Sequence, residues 1–270
     1  TLGIKSWENG FGGRKRHEKT LSTFFLESVA STNHLLWKRV LSCQRALCAN
    51  MSHLQMDYND GGKSVQRLIE GIHRFQLQEW GNYEGLFRRL SRDGQSPHTL
   101  FITCCDSRVL AELITQSQPG DLFVVKNVGN IVPSATQATD GQSTAAAIEF
   151  AVSTLQISDI VVCGHSQCGA MTALLQSPKE EMPYLSKWLT IASPVKKIIQ
   201  ENYSHLTVLD DQVTAAAEEN VLFALENLRS YPVVAKALAQ GGLRLHGWFF
   251  KISSGELFVY DPELQQFMRI

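Results

Sequence analysis

Three short apolar segments constrain this chain more than anything else in it: Thr99–Cys104 (TLFITC), Leu122–Val125 (LFVV) and Asp159–Cys163 (DIVVC). Each has strand rather than helix length, and turn or polar residues bound them, Pro97 and Asp106 around the first and Pro119-Gly120 before the second. Each therefore reads as a buried strand. Helical patterns separate them. Val109–Gln116 lies between the first two, Ile148, Ala151, Val152 and Leu155 mark one face of a helix before the third, and Gln167–Leu175 follows it. Strands alternating with helices predict an α/β domain, a mostly parallel sheet flanked by helices. Residues 127–143, rich in Gly, Pro and small polar side chains, read as a loop.

Upstream, Val65, Leu68, Ile69, Ile72 and Phe75 recur at helical spacing, and a second helix is expected over Asn82–Leu90, before the Asp93-Gly94 turn. Downstream, a long helical pattern runs from Pro183 to Tyr203 with a break at Pro194. Another helix carries Val221, Ala224, Leu225 and Leu228 and ends near Pro232, and Gly241-Gly242 stops a short one. Leu243–Ile252 and Glu256–Tyr260, joined by Ser253-Ser254-Gly255, predict a hairpin that gives the sheet an antiparallel C-terminal edge.

Composition removes several function classes. With 270 residues, 44% of them hydrophobic, the chain can build a substantial core. No window approaches the roughly 18 uncharged apolar residues of a membrane span. A net charge of −1 offers nothing to a nucleic-acid backbone. That charge is unevenly placed: residues 1–50 hold eight basic against three acidic residues and many Ser and Thr. Such a stretch reads either as an organelle transit peptide or as an upstream segment ahead of a start at Met51. Residues 1–50 are thus expected to lie outside the core, 51–270 to form one catalytic domain, and about 64–90 to form an N-terminal arm. Leu35–Leu41 could make a short amphipathic helix there, with Cys43 and Cys48 just beyond it.

In an open parallel sheet, ligands bind beyond the carboxyl ends of the strands. The first strand ends in Cys104-Cys105-Asp106-Ser107-Arg108, the second runs into Lys126-Asn127-Val128-Gly129-Asn130, and the third ends in Gly164-His165-Ser166-Gln167-Cys168-Gly169. One rim would hold two thiols, an imidazole, a carboxylate and a guanidinium. Cys104, His165 and Cys168 form a donor set suited to zinc, and three protein ligands leave a fourth position open, as in catalytic sites. A His-x-x-Cys pair alone is weak evidence. Together with a strand-terminal Cys-x-Asp-x-Arg it is specific.

These residues resemble the β-class carbonic anhydrases, in their plant and cyanobacterial branch, and the resemblance runs from about Leu68 to Tyr260. It implies one zinc per subunit on Cys104, His165 and Cys168, and reversible hydration of carbon dioxide to bicarbonate and a proton by zinc-hydroxide attack. Asp106 and Arg108 correspond to the family's dyad. A guanidinium held bidentately on the carboxylate keeps it off the metal, and Asp106 becomes a fourth ligand only in a closed state. Gln95, Phe123, Val128, Phe150 and the N–H of Gly169 match the substrate pocket. Phe150 stands where plant enzymes carry tyrosine, and Lys126 where arginine is common. Phe101 stands where the bicarbonate-inhibited bacterial branch has tryptophan, which argues against that branch's second bicarbonate site.

The resemblance further implies a homodimer or higher oligomer with the arm reaching over its neighbour, and a role in inorganic-carbon supply. The expected place is the cytoplasm, with carboxysome or plastid partners as alternatives. A zinc hydrolase acting on carbonyl sulfide or carbon disulfide, and a catalytically silent scaffold, remain as other readings. Cys105 and Cys163 read as packing residues, and His205 and His246 as structural or solvent-facing rather than as proton shuttles. Trp248, Phe249 and Phe250 read as strand core or subunit interface.

Overall fold

The computed structural model describes residues 65–138, 142–176 and 181–270. The basic leader, the Leu35–Leu41 pattern, Cys43 and Cys48 lie outside these residues. Thr1–Gly71 and Ile72–Ile270 form two compact units; of the first, only 65–71 are described, as the start of a helix.

That helix, α1 (Val65–Arg74), passes through a π turn at Phe75–Glu79 directly into α2 (Trp80–Asp93). The two expected N-terminal helices are therefore one helical stretch. It stops where Gly94 adopts a positive φ of 84° and donates its N–H to Leu90 O, a conformation open to glycine. Neither α1 nor α2 buries a residue, and Val65, Leu68, Ile69 and Ile72 lie exposed along one face of α1.

The sheet has six strands in the order β2-β1-β3-β4-β5-β6. β1 (Thr99–Cys104), β2 (Leu122–Asn127), β3 (Asp159–His165) and β4 (Arg244–Lys251) are parallel, while β5 (Glu256–Asp261) pairs antiparallel with both β4 and β6 (Gln266–Arg269). This is the mostly parallel α/β sheet with an antiparallel edge that the apolar runs predict. β6 has no sequence signal, because four largely exposed residues with one half-buried Phe267 carry almost no apolar pattern.

Alternation of side chains divides the sheet into two faces. Leu100, Ile102, Ile160 and Val162 point to one face, where they pack with α4 (Ser143–Ser153), α8 (Leu209–Arg229) and α9 (Pro232–Ala239) through Ile148, Val221, Leu228 and Val234. Phe101, Val161 and Cys163 point to the other. Among the described residues, only Ala111 of the short α3 (Ala111–Thr115) joins the buried set there, and Leu122, Val124, Trp248 and Phe250 stay half-buried.

The remaining helices are α5 (Gly169–Gln176), α6 (Pro183–Leu189) and α7 (Ser193–Asn202). Between α6 and α7 the break is a 3-10 turn at Thr190–Ala192, and Pro194 sits in the first turn of α7 rather than at a kink. Proline lacks an N–H that the first helical turn does not need, so it starts that helix. At 21 residues, α8 exceeds its recognisable apolar stripe. Its N-terminal half presents Ala215, Ala216 and Ala217, small residues that let the helix approach the sheet closely.

The approach is tightest at Gly164, where an added Cβ would stand 2.9 Å from Val221 Cγ2 and 3.1 Å from the Ala217 carbonyl oxygen. Backbone cannot yield as a side-chain tip can. Gly164→Ala should therefore cost about 1–3 kcal/mol of stability as an overpacked core substitution. Urea denaturation should show a lower midpoint with an unchanged slope.

Candidate metal centre

The parallel register decides which residues meet. Cys104 is the last residue of β1, opposite Asn127 at the end of β2, and Thr103 pairs with Cys163 two residues before His165. The carboxyl ends of β1 and β3 thus deliver Cys104 and His165 to one rim. From His165 the chain makes a tight turn in which Gln167 takes a positive φ of 57°, and α5 begins at Gly169. The turn is tied to β4, since Ser166 N–H donates to Phe250 O at 3.0 Å and Ser166 Oγ accepts from Ile252 N–H at 3.0 Å. Cys168 is thereby placed just ahead of α5, where the backbone N–H groups of Met171 and Ala170 favour a negative sulfur.

Cys104, His165 and Cys168 are all buried, with their ligand atoms within 4.8 Å of one another. His165 Nδ1 lies 2.9 Å from the Ser166 carbonyl oxygen. That nitrogen must carry the proton and donate, which leaves the Nε2 lone pair free. Nε2 is buried and has no hydrogen-bond partner among the described residues. An orphaned imidazole nitrogen facing two thiols is costly in a folded protein, and a soft divalent cation satisfies all three. These residues fit zinc.

The two thiols bear charge unequally. Cys104 is pulled far below the usual thiol range, first by a hydrogen bond from Cys168, against burial, and further by His165 and the N–H groups of Asp106 and Gly129. Cys168 is pushed up by the same hydrogen bond, by burial and by the charge on Cys104. A divalent cation held by Cys104 and Cys168 would stabilise both as thiolates and remove that asymmetry.

Beside the thiols, Asp106 and Arg108 form a fork. Arg108 Nε donates to Asp106 Oδ1 at 2.9 Å and Nη2 to Oδ2 at 2.8 Å, and the Arg108 backbone N–H adds a third bond to Oδ1 at 2.9 Å. The side-chain bonds of Arg108 hold the Asp106 carboxyl well below the usual carboxylate range. Both Asp106 oxygens are engaged with Arg108. Arg108 also leans on Gln167, through Oε1 and the carbonyl oxygen, each at 3.4 Å. Lys126, from β2, donates to the carbonyl oxygens of Val109 at 2.7 Å and Asp106 at 3.2 Å, pinning the loop that carries the dyad. Asn127 organises the neighbouring loop through Ile131, donating to its carbonyl and accepting from its N–H, both at 2.9 Å.

The expected pocket residues divide into two groups. Gly169 and Val128 belong to the rim, and Val128 is 42% exposed. Phe123 pairs with Leu100 in the sheet, four residues below Cys104 and therefore about 13 Å along the strand. It meets Phe150, which is 43% exposed, at 5.9 Å between ring centroids. Gln95 precedes β1 at its opposite end. Gln95, Phe123 and Phe150 thus stand away from the Cys104 rim of their own chain.

Among the other candidates, Cys163 is fully buried with its thiol pushed up to about 12 by burial, while Cys105 is exposed. His246 is tied to Asp159 at 2.8 Å, a carboxylate also forked by Arg244, at the far end of the sheet. Gln167 and Lys126 gain contacts to the dyad that no residue pattern reveals, although Gln167 lies inside the His-x-x-Cys motif.

The sequence profile of the carbonic anhydrase family matches residues 99–257. A carbonic anhydrase from Synechocystis is 44% identical over 76% of this chain and 74% of its own length. One from Pseudomonas aeruginosa is 41% identical over 76% and 92%. Among solved structures, the β-carbonic anhydrase CcaA superposes with a TM-score of 0.73 at 44% identity, covering 76% of this chain and 98% of that one. A tetrameric β-carbonic anhydrase from Sordaria macrospora gives 0.65 at 31% identity, over 72% and 95%. With the sheet, the Cys-His-Cys cluster and these relatives in agreement, the chain belongs to the β-class carbonic anhydrases.

Proposed function

We propose that this chain catalyses the reversible hydration of carbon dioxide to bicarbonate, with one zinc held by Cys104, His165 and Cys168 and with Asp106 and Arg108 as its dyad. The observation that carries this reading is the buried His165 Nε2, unpartnered between two thiols and beside a carboxylate locked by a guanidinium. Zinc when bound lowers the pKa of a coordinated water, to about 7 in the three-histidine carbonic anhydrases from which that magnitude is taken, and so supplies a nucleophile at neutral pH. Two thiolates give more charge to the metal than two imidazoles, which sets the working range here above neutrality.

The protein's own contribution is orientation and exclusion. Asp106 remains a carboxylate because Arg108 grips both oxygens. An ionised, immobile acceptor beside the open position orients the donor it faces. Its depressed pKa means that the pair is intact above the ordinary carboxylate value, about 4, and is lost only as pH falls through the lower folded value. Asp106 therefore contributes no transition between pH 6 and 9. If Arg108 releases it, the carboxylate becomes free to take the fourth position and close the site.

The pocket is completed by a second copy. Gln95, Phe123 and Phe150 cannot serve the metal centre of their own chain, and they line the centre of a partner. Two apolar surfaces left uncovered among the described residues support a homodimer or larger assembly: the exposed face of α1 and the half-covered sheet face around Phe101, Trp248 and Phe250. A role in inorganic-carbon supply follows from the reaction, which exchanges a dissolved gas for an anion. No helix among the described residues is long and apolar enough to cross a membrane.

Purified protein should carry about one zinc per chain and hydrate carbon dioxide rapidly in stopped flow. Cys104→Ser should lose most of the metal and the activity together, and a full zinc count in that variant would contradict the ligand assignment. Arg108→Ala should retain zinc but lose at least about 100-fold in kcat, because Asp106 is no longer held at the orienting position. Unchanged turnover would overturn the switch. Leu68→Glu with Ile72→Glu should shift the assembly towards monomers in light scattering. Hydration should fall with it at full zinc occupancy, since a lone chain lacks the partner's Gln95.

A further inference from the structure

One peptide unit of the rim is held at both ends. The Val128–Gly129 amide directs its N–H, that of Gly129, to Cys104 Sγ at 3.3 Å. It directs its C=O, that of Val128, to the indole Nε1–H of Trp188 on α6, which donates at 2.7 Å. Gly129 itself sits at a φ of 81°, and a Cβ there would fall 2.8 Å from Ala170 Cβ. On its far side the next carbonyl, Gly129 O, accepts from the buried Asn220 Nδ2 at 2.9 Å. The amide therefore cannot rotate without breaking the bond to Trp188, and Asn220 fixes the residue beyond it.

The two ends of an amide are electronically linked by the resonance that keeps it planar. Accepting a short hydrogen bond at the oxygen draws density from the nitrogen and strengthens the N–H as a donor, an effect of about 10–30% per bond in hydrogen-bonded chains. The donor here ends on a sulfur that we have assigned to zinc. Outer-shell hydrogen bonds of this kind set how much charge a ligand gives its metal.

We infer that Trp188 is a positioning residue for the metal centre, acting through the Val128–Gly129 peptide to hold and polarise the N–H that bonds Cys104. The indole touches neither metal nor substrate. It withdraws charge from the thiolate at one remove, which keeps the sulfur a weaker donor and the metal a stronger Lewis acid. The inference rests on the zinc reading above and extends it to a side chain about twenty residues downstream of the His-x-x-Cys motif.

Trp188→Phe tests it, since the ring keeps most of the packing and loses the donor. In the cobalt-substituted holoprotein, the sulfur-to-cobalt charge-transfer band should move to longer wavelength in the variant, as the thiolate becomes more electron-rich. A merely structural Trp188 would lower the melting temperature and leave the band in place, which would overturn the inference. A wild-type protein that binds neither zinc nor cobalt through sulfur would overturn the metal reading and this one together.

Should the variant fail to fold, the wild type carries the test alone. Exchanging zinc for cadmium alters the charge on the Cys104 sulfur with the same ligands, and should shift the Trp188 indole N–H resonance in a ¹H–¹⁵N spectrum. An unmoved resonance would overturn the coupling.

Discussion

Everything at the metal centre depends on the parallel register of β1 between β2 and β3. Parallel strands end at the same edge, so the three segments leaving β1, β2 and β3 start from one line. Cys104 and His165 meet because Thr103 lies opposite Cys163; a slip of one residue would turn Cys104 to the other face of the sheet. That register is secured by Leu100, Ile102, Ile160 and Val162, all fully buried on the helix-covered face. The chemistry is therefore anchored in the least deformable part of the protein.

On that anchor the rim is built almost wholly from backbone-directed bonds. Lys126 holds two carbonyls of the dyad loop, Asn127 holds both polar groups of Ile131, and Ser166 ties the His-x-x-Cys turn to β4. Each polar side chain satisfies main-chain groups that a tight turn would otherwise leave exposed, and in doing so fixes where a thiol, an imidazole or a carboxylate stands. Arg108 is the exception, being held chiefly by its own partner Asp106 and only loosely by Gln167.

The second constraint is the unequal covering of the sheet. Helices α4, α8 and α9 close one face, while among the described residues the other has little beyond Ala111. On the covered side, Phe123 packs against that core and meets Phe150 of α4 with tilted rings, four residues along the strand from the Cys104 rim. An incompletely covered sheet face and pocket residues set apart from the rim are the two observations behind the proposal that a second copy completes the site.

By itself the sequence determined the succession of strands and helices along the chain, the α/β class, and the Cys104, His165 and Cys168 donor set with the Asp106–Arg108 pair beside it. Those features are local: apolar runs, turn residues and short motifs record them within a few positions. Tertiary structure alone decided the rest. β6 and the full length of α8 arise from packing against an existing sheet, so they need no strong pattern of their own. The separation of Gln95, Phe123 and Phe150 from Cys104 follows from strand length and direction, which motif spacing does not encode. The bond from Trp188 to Val128 O spans 60 residues. Only the folded chain brings such groups together, because a contact of that separation exists once the sheet, α5 and α6 are already in place.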